Sequence, residues 1–156
     1  ARYAADPSEV VAMTATYRAH NREHHDRLVK PYAGVREVVA RLVTRGVRLG
    51  VVTSKNRVAT RHGLTHCGLD RFFDVLVTED DTTEHKPQAA PVVEALSRLA
   101  SSPADAVFIG DSPWDCEAGK AAGVSTAVAL WGPFGRAPLE PHAPDHWLDR
   151  PEQILG

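Results

Sequence analysis

Short runs rich in β-branched residues alternate along this chain with stretches of helical periodicity. A strand–helix–strand succession packs well only as a parallel sheet with helices on both faces, so a Rossmann-like α/β architecture is the expectation. The predicted strands are 47–53 (VRLGVVT), 74–78 (DVLVT), 106–110 (AVFIG) and 124–130 (VSTAVAL). The first of them reads as a strand buried on both faces. A short edge strand is expected at 146–148 and a closing turn of helix at 151–155. Between these runs, helices are predicted over 35–45, 56–67, 91–100 and 114–122. In the first of these, Val38, Val39, Leu42 and Val43 are expected to face inward, with Gly46 as the C-terminal cap. A strongly polar helix is predicted over 9–28 with Ser8 as its N-cap. Residues 133–144 are rich in proline and read as a surface loop without chemistry.

At 156 residues the chain is the size of one domain, or one domain with a small appendage. Its 18 basic and 20 acidic residues give a net charge of −2, which offers no electrostatic case for nucleic acid or an anionic membrane as partner. No apolar run approaches the roughly 20 residues that a membrane helix needs. Cys67 and Cys116 do not make a disulfide framework, and a reducing, cytoplasmic setting is expected.

In parallel α/β sheets chemistry gathers at the carboxyl ends of the strands. The first predicted strand ends in Thr53, Ser54 and Lys55. The third ends in Gly110, Asp111 and Ser112, with Asp115 one helical turn on. Lys86 follows the second. Asp111 and Asp115 can hold a hard, oxygen-loving cation such as Mg²⁺. A lysine can neutralise phosphate oxygens as a point charge. Hydroxyls and neighbouring backbone N–H groups can donate to the remaining oxygens. That set of parts suits phosphoryl transfer, where catalysis is mostly positioning and charge stabilisation.

LGVVTSK, HKP and FIGDSPWDCEAGKAAG, in that order, resemble the second, third and fourth motifs of the haloacid dehalogenase superfamily, in particular its phosphatases of the phosphoglycolate phosphatase type. PYAGV and LWGPF also fit, and the resemblance runs from the helix around Tyr17 to Trp131. It implies catalytic roles for Thr53, Lys86 and Asp111, phosphate binding by Thr53, Ser54, Lys55 and Lys86, and Mg²⁺ binding by Asp111 and Asp115. The implied substrate is a small phosphate ester, or pyrophosphate, hydrolysed through an aspartyl-phosphate.

The family's first motif, Asp-x-Asp-Gly-Thr, does not occur in the sequence. That motif carries the nucleophile and follows the strand at the centre of the family's sheet. The expectation is therefore that this sequence is the C-terminal two-thirds of a longer protein, inactive without the missing segment. Residues 1–30 then read as the later part of a helical cap, and 31–156 as a core lacking its first strand. Gly110 before Asp111 and the Thr-Ser-Lys second motif favour a phosphatase. A phosphosugar mutase, a dehalogenase of the same superfamily, or a binding or regulatory protein without catalysis stand as alternatives.

Overall fold

The structure is a computed structural model that describes residues 6–156, apart from the side chain of Arg22. The first five residues of the expected cap segment lie outside the described residues. The chain divides into two compact units, one ending at Lys30 and the other running Pro31–Gly156.

The first unit is one helix, α1 (Pro7–Leu28). Its N-cap is Asp6, not the expected Ser8. Asp6 Oδ1 accepts the N–H groups of Ser8 (2.7 Å) and Glu9 (3.1 Å). Pro7 explains the shift: with no N–H and a preset φ, it favours the first helical position and leaves Asp6 to cap. Val10, Met13 and Tyr17 form an exposed stripe on α1.

The second unit contains α2 (Val35–Thr44), β1 (Gly50–Val52), α3 (Arg57–His66), β2 (Val75–Val77) and α4 (Ala90–Arg98). It continues with β3 (Val107–Gly110), α5 (Pro113–Ala121), β4 (Ser125–Ala129), the single turn α6 (Arg136–Leu139) and β5 (His146–Leu148). All strand pairings are parallel. β1 pairs with β2, and β3, β4 and β5 form a second ladder in that order. Among the described residues no strand pairs with the second edge of β1 or of β3. The two ladders share a core: Val92, Leu96, Ala118 and Val124 form its centre, with Val52 of β1 and Phe108 of β3 packed against it. Helix α4 supplies Val92, Ala95 and Leu96 at i, i+3 and i+4, the spacing that puts all three on one face. It lies on β1 and β2, while α5 lies on β3 and β4.

In the second unit three further details depart from the sequence-based expectations. β1 is three residues long and only half buried, because it has a strand neighbour on one side only. In α2, Val38 and Val39 are buried but Val43 is exposed, the helix being covered by the 3₁₀ turns Asp70–Phe72 and Pro151–Leu155. The closing turn of helix expected at 151–155 is that second 3₁₀ turn. The stretch 133–144 is not merely surface loop: it holds α6, whose Leu139 is fully buried against Cys116 and Val128. Among the described residues no helix is long and apolar enough to cross a membrane.

Candidate active site

Lys86, beyond β2, is the link between the two ladders. Its Nζ lies 2.7 Å from Asp115 Oδ1 and 3.5 Å from the Val52 carbonyl oxygen at the end of β1. Both side chains are largely buried, 14% exposed for Lys86 and 8% for Asp115.

Asp115 is fixed from its own side by a capping box. Ser112 caps α5, accepting the Asp115 N–H, and the Ser112 N–H donates to Asp115 Oδ2 at 3.1 Å. The Ser112 hydroxyl and the Asp111 N–H also donate to Oδ2. Asp115 therefore binds the turn that carries Asp111. The close approach requires Gly110, where an added Cβ would stand 2.2 Å from Asp115 Cβ.

Asp111 is in a different state. Burial pushes its carboxyl up, Asp115 pushes it further, and Lys86 and its own backbone N–H partly offset both. Thr53, one residue past Val52, is half buried. Its N–H donates to the Val77 carbonyl at 2.9 Å and its hydroxyl oxygen accepts the Lys55 N–H at 3.2 Å, which leaves its O–H free to donate. The structure thus brings Lys86, Asp111 and Asp115 together beside the strand end that carries Thr53. Ser54 and Lys55 stand exposed on that strand end, with no hydrogen bond to the other three. Burial, and then the charge of Asp115, push the Cys116 thiol up, so it is no thiolate nucleophile.

Two features escaped the sequence reading. The capping role of Asp115 was signalled by Ser112-x-x-Asp115, a capping-box spacing. The second is Asp81, which accepts the Thr78 N–H and hydroxyl at 2.8 and 2.6 Å and pairs with Arg57 and Arg98 at 2.7 and 2.9 Å. Burial pushes its carboxyl up, but Thr78 and the two guanidiniums outweigh this and hold it well below the usual carboxylate range. Only Thr78 is close in sequence; the arginines are separated from Asp81 by a helix each, and no local pattern marks them.

A parallel α/β core with a hydroxyl, a lysine and an acid pair at its strand ends defines a Rossmann-like hydrolase class. Residues 1–129 match the family model of the haloacid dehalogenase-like hydrolases. Pyrophosphatase PpaX of Bacillus cereus (strain G9842) is 41% identical over 150 residues, which are 96% of this chain and 69% of PpaX. A crystal structure of a phosphoglycolate phosphatase candidate from Lactobacillus plantarum superposes with a TM-score of 0.87 and 28% identity, covering 99% of this chain and 72% of that one. CbbY from Rhodobacter sphaeroides, in complex with xylulose-(1,5)-bisphosphate, superposes with a TM-score of 0.72 and 26% identity, covering 80% of this chain and 56% of CbbY. The chain belongs to the haloacid dehalogenase-like hydrolases.

Proposed function

We propose that this chain carries most of the active site of a Mg²⁺-dependent phosphohydrolase acting on a small phosphorylated metabolite or on pyrophosphate. The observation that carries the reading is Lys86, held between the Val52 carbonyl and Asp115 and set beside Asp111 at the carboxyl ends of β1 and β3. Its ammonium is a point charge for the oxygens of a transferring phosphoryl group. The free O–H of Thr53 donates to the same group. Ser54 and Lys55 lie on the exposed, substrate side. The resemblance to PpaX supports pyrophosphate, and the ligand of CbbY supports a phosphorylated sugar.

The donor set fits Mg²⁺. A hard cation takes carboxylate oxygens, and Asp111, its carboxyl pushed up by burial and by Asp115, gains from a neighbouring cation. The sequence-based expectation placed both acids on the metal. In the proposed reading Asp111 is the direct ligand, because three donors occupy Asp115 Oδ2 and Lys86 faces Oδ1. Asp115 then orients Lys86 and the 111–112 turn. When bound, the ion polarises the phosphoryl group and neutralises its charge.

A nucleophilic Asp in an Asp-x-Asp-Gly-Thr run is not among the 156 residues. In this reading it comes from outside them, and the 156 residues alone do not turn over. The unpaired edges of β1 and β3 support a strand between them, with 31–156 as a core lacking that strand and 1–30 as part of a helical cap. Phosphate release from pyrophosphate and from a panel of phosphate monoesters, by the intact protein with and without Mg²⁺, tests the reading. Asp111→Asn is expected to lower kcat by at least about a hundredfold; undiminished Mg²⁺-dependent turnover in that variant overturns it.

A further inference from the structure

Asp111 and Asp115 are held by different means. Four donors tie down the Asp115 carboxylate. Among the described residues no side chain donates to the carboxylate of Asp111. Backbone confines it instead. After β4 the chain returns through Leu130 and Trp131 to Gly132. A Cβ there would stand 2.5 Å from Asp111 Cβ and 2.9 Å from Asp111 Oδ2, closer than real Cβ atoms approach. The φ of Gly132 is outside the left-handed region, so conformation does not demand glycine at this position; space does.

The return is anchored on both sides of that contact. The Leu130 N–H donates to the Leu148 carbonyl at 2.8 Å, and the Gly132 N–H to the Ala129 carbonyl at 3.1 Å. Two residues on, the Phe134 ring packs on the Cys116–Val128–Leu139 cluster and meets Trp114 edge-on, with centroids 6.0 Å apart. Trp114 sits in the first turn of α5, between Asp111 and Asp115 in sequence. Residues 130–134 therefore form a strap whose position is set by the same helix that positions the acid pair.

We infer that Gly132 is a positioning residue for Asp111: the strap holds the Asp111 carboxylate by contact, where hydrogen bonds hold Asp115. The inference rests on the reading of Asp111 as the Mg²⁺ ligand. Its test is Mg²⁺ affinity by titration calorimetry in the intact protein, for wild type, Asp111→Asn, Gly132→Ala and Gly135→Ala, with the melting temperature of each. Gly132→Ala is expected to weaken Mg²⁺ binding about tenfold, the loss typical of disturbing a ligand's support. Gly135→Ala, where an added Cβ meets nothing within 4 Å, is expected to bind as wild type. Wild-type affinity in Gly132→Ala with loss in Asp111→Asn overturns the positioning role and leaves the ligand reading standing. Wild-type affinity in both overturns the two together. A purely structural role for Gly132 lowers the melting temperature without moving the affinity, which also overturns the inference. Should Gly132→Ala not fold, Trp114→Ala loosens the strap from an exposed position; a fall of about threefold in affinity is expected, and no fall overturns the inference.

Discussion

The Lys86 ammonium and the Asp115 carboxylate lie 2.7 Å apart, each largely buried and each brought from a different ladder of the sheet. Their dependence on one another is unequal. Without Lys86, Asp115 keeps three donors; without Asp115, Lys86 keeps one long contact to a carbonyl. Asp115→Ala is therefore expected to cost about 3–5 kcal/mol, from an unpaired buried charge and a lost cap. Lys86→Ala is expected to cost about 1–2 kcal/mol. Urea unfolding of the two variants checks the order, and equal losses contradict it.

Asp111 presents the opposite balance between stability and function. Its carboxyl is pushed above the ordinary value, so its charged form is disfavoured in the folded chain. The sign follows: stability falls as pH rises from the unfolded pKa near 4 through the higher folded pKa, where the buried group ionises. At neutral pH and without Mg²⁺, Asp111→Asn is expected to raise the urea midpoint while removing activity. A lowered midpoint at pH 7 counts against this account of its environment.

Asp81 titrates with the other sign. Its carboxyl is held below the ordinary value, so its contribution is complete above the unfolded pKa near 4 and is lost as pH falls below that. Asp81→Asn is expected to cost about 2 kcal/mol at pH 7, after allowing for two arginines about one-third exposed. The gap from wild type should narrow steadily as pH falls from 4 towards 2. Denaturant midpoints across that range measure it, and a gap independent of pH argues against the ion-pair cluster.

Leu139 gives the clearest reading of the stretch after β4. The side chain is fully buried against Cys116 and Val128. Leu139→Ala is expected to cost about 2–5 kcal/mol, as a core truncation does. A loss below about 0.5 kcal/mol, the range of surface positions, shows that α6 is peripheral.

Most of the frame was legible because it is local. The edge strand at His146–Leu148 fell where predicted, and the helices did so to within a residue or two, because apolar period and turn residues sit in the same few positions. The three motifs could be placed at strand ends for the same reason. What could not be read is non-local. Gly132 lies 21 residues beyond Asp111, and nothing in PFGRAPLEPHAP announces a buried Leu139. The Arg57–Asp81–Arg98 cluster joins three elements whose separations carry no periodic signal. Asp115 was recognised as an acid but not as a cap, since its oxygens could have turned to a cation or to the backbone, and packing decided between them.

The Arg98 guanidinium donates to the Leu76 carbonyl at 3.1 Å, so charge covers part of the outer rim of the sheet at β2. At the end of β1 the Lys86 ammonium makes a longer contact of the same kind, 3.5 Å from the Val52 carbonyl. A strand of another copy approaching the rim at β2 meets a guanidinium where it would need a carbonyl acceptor, so edge-to-edge pairing there is disfavoured.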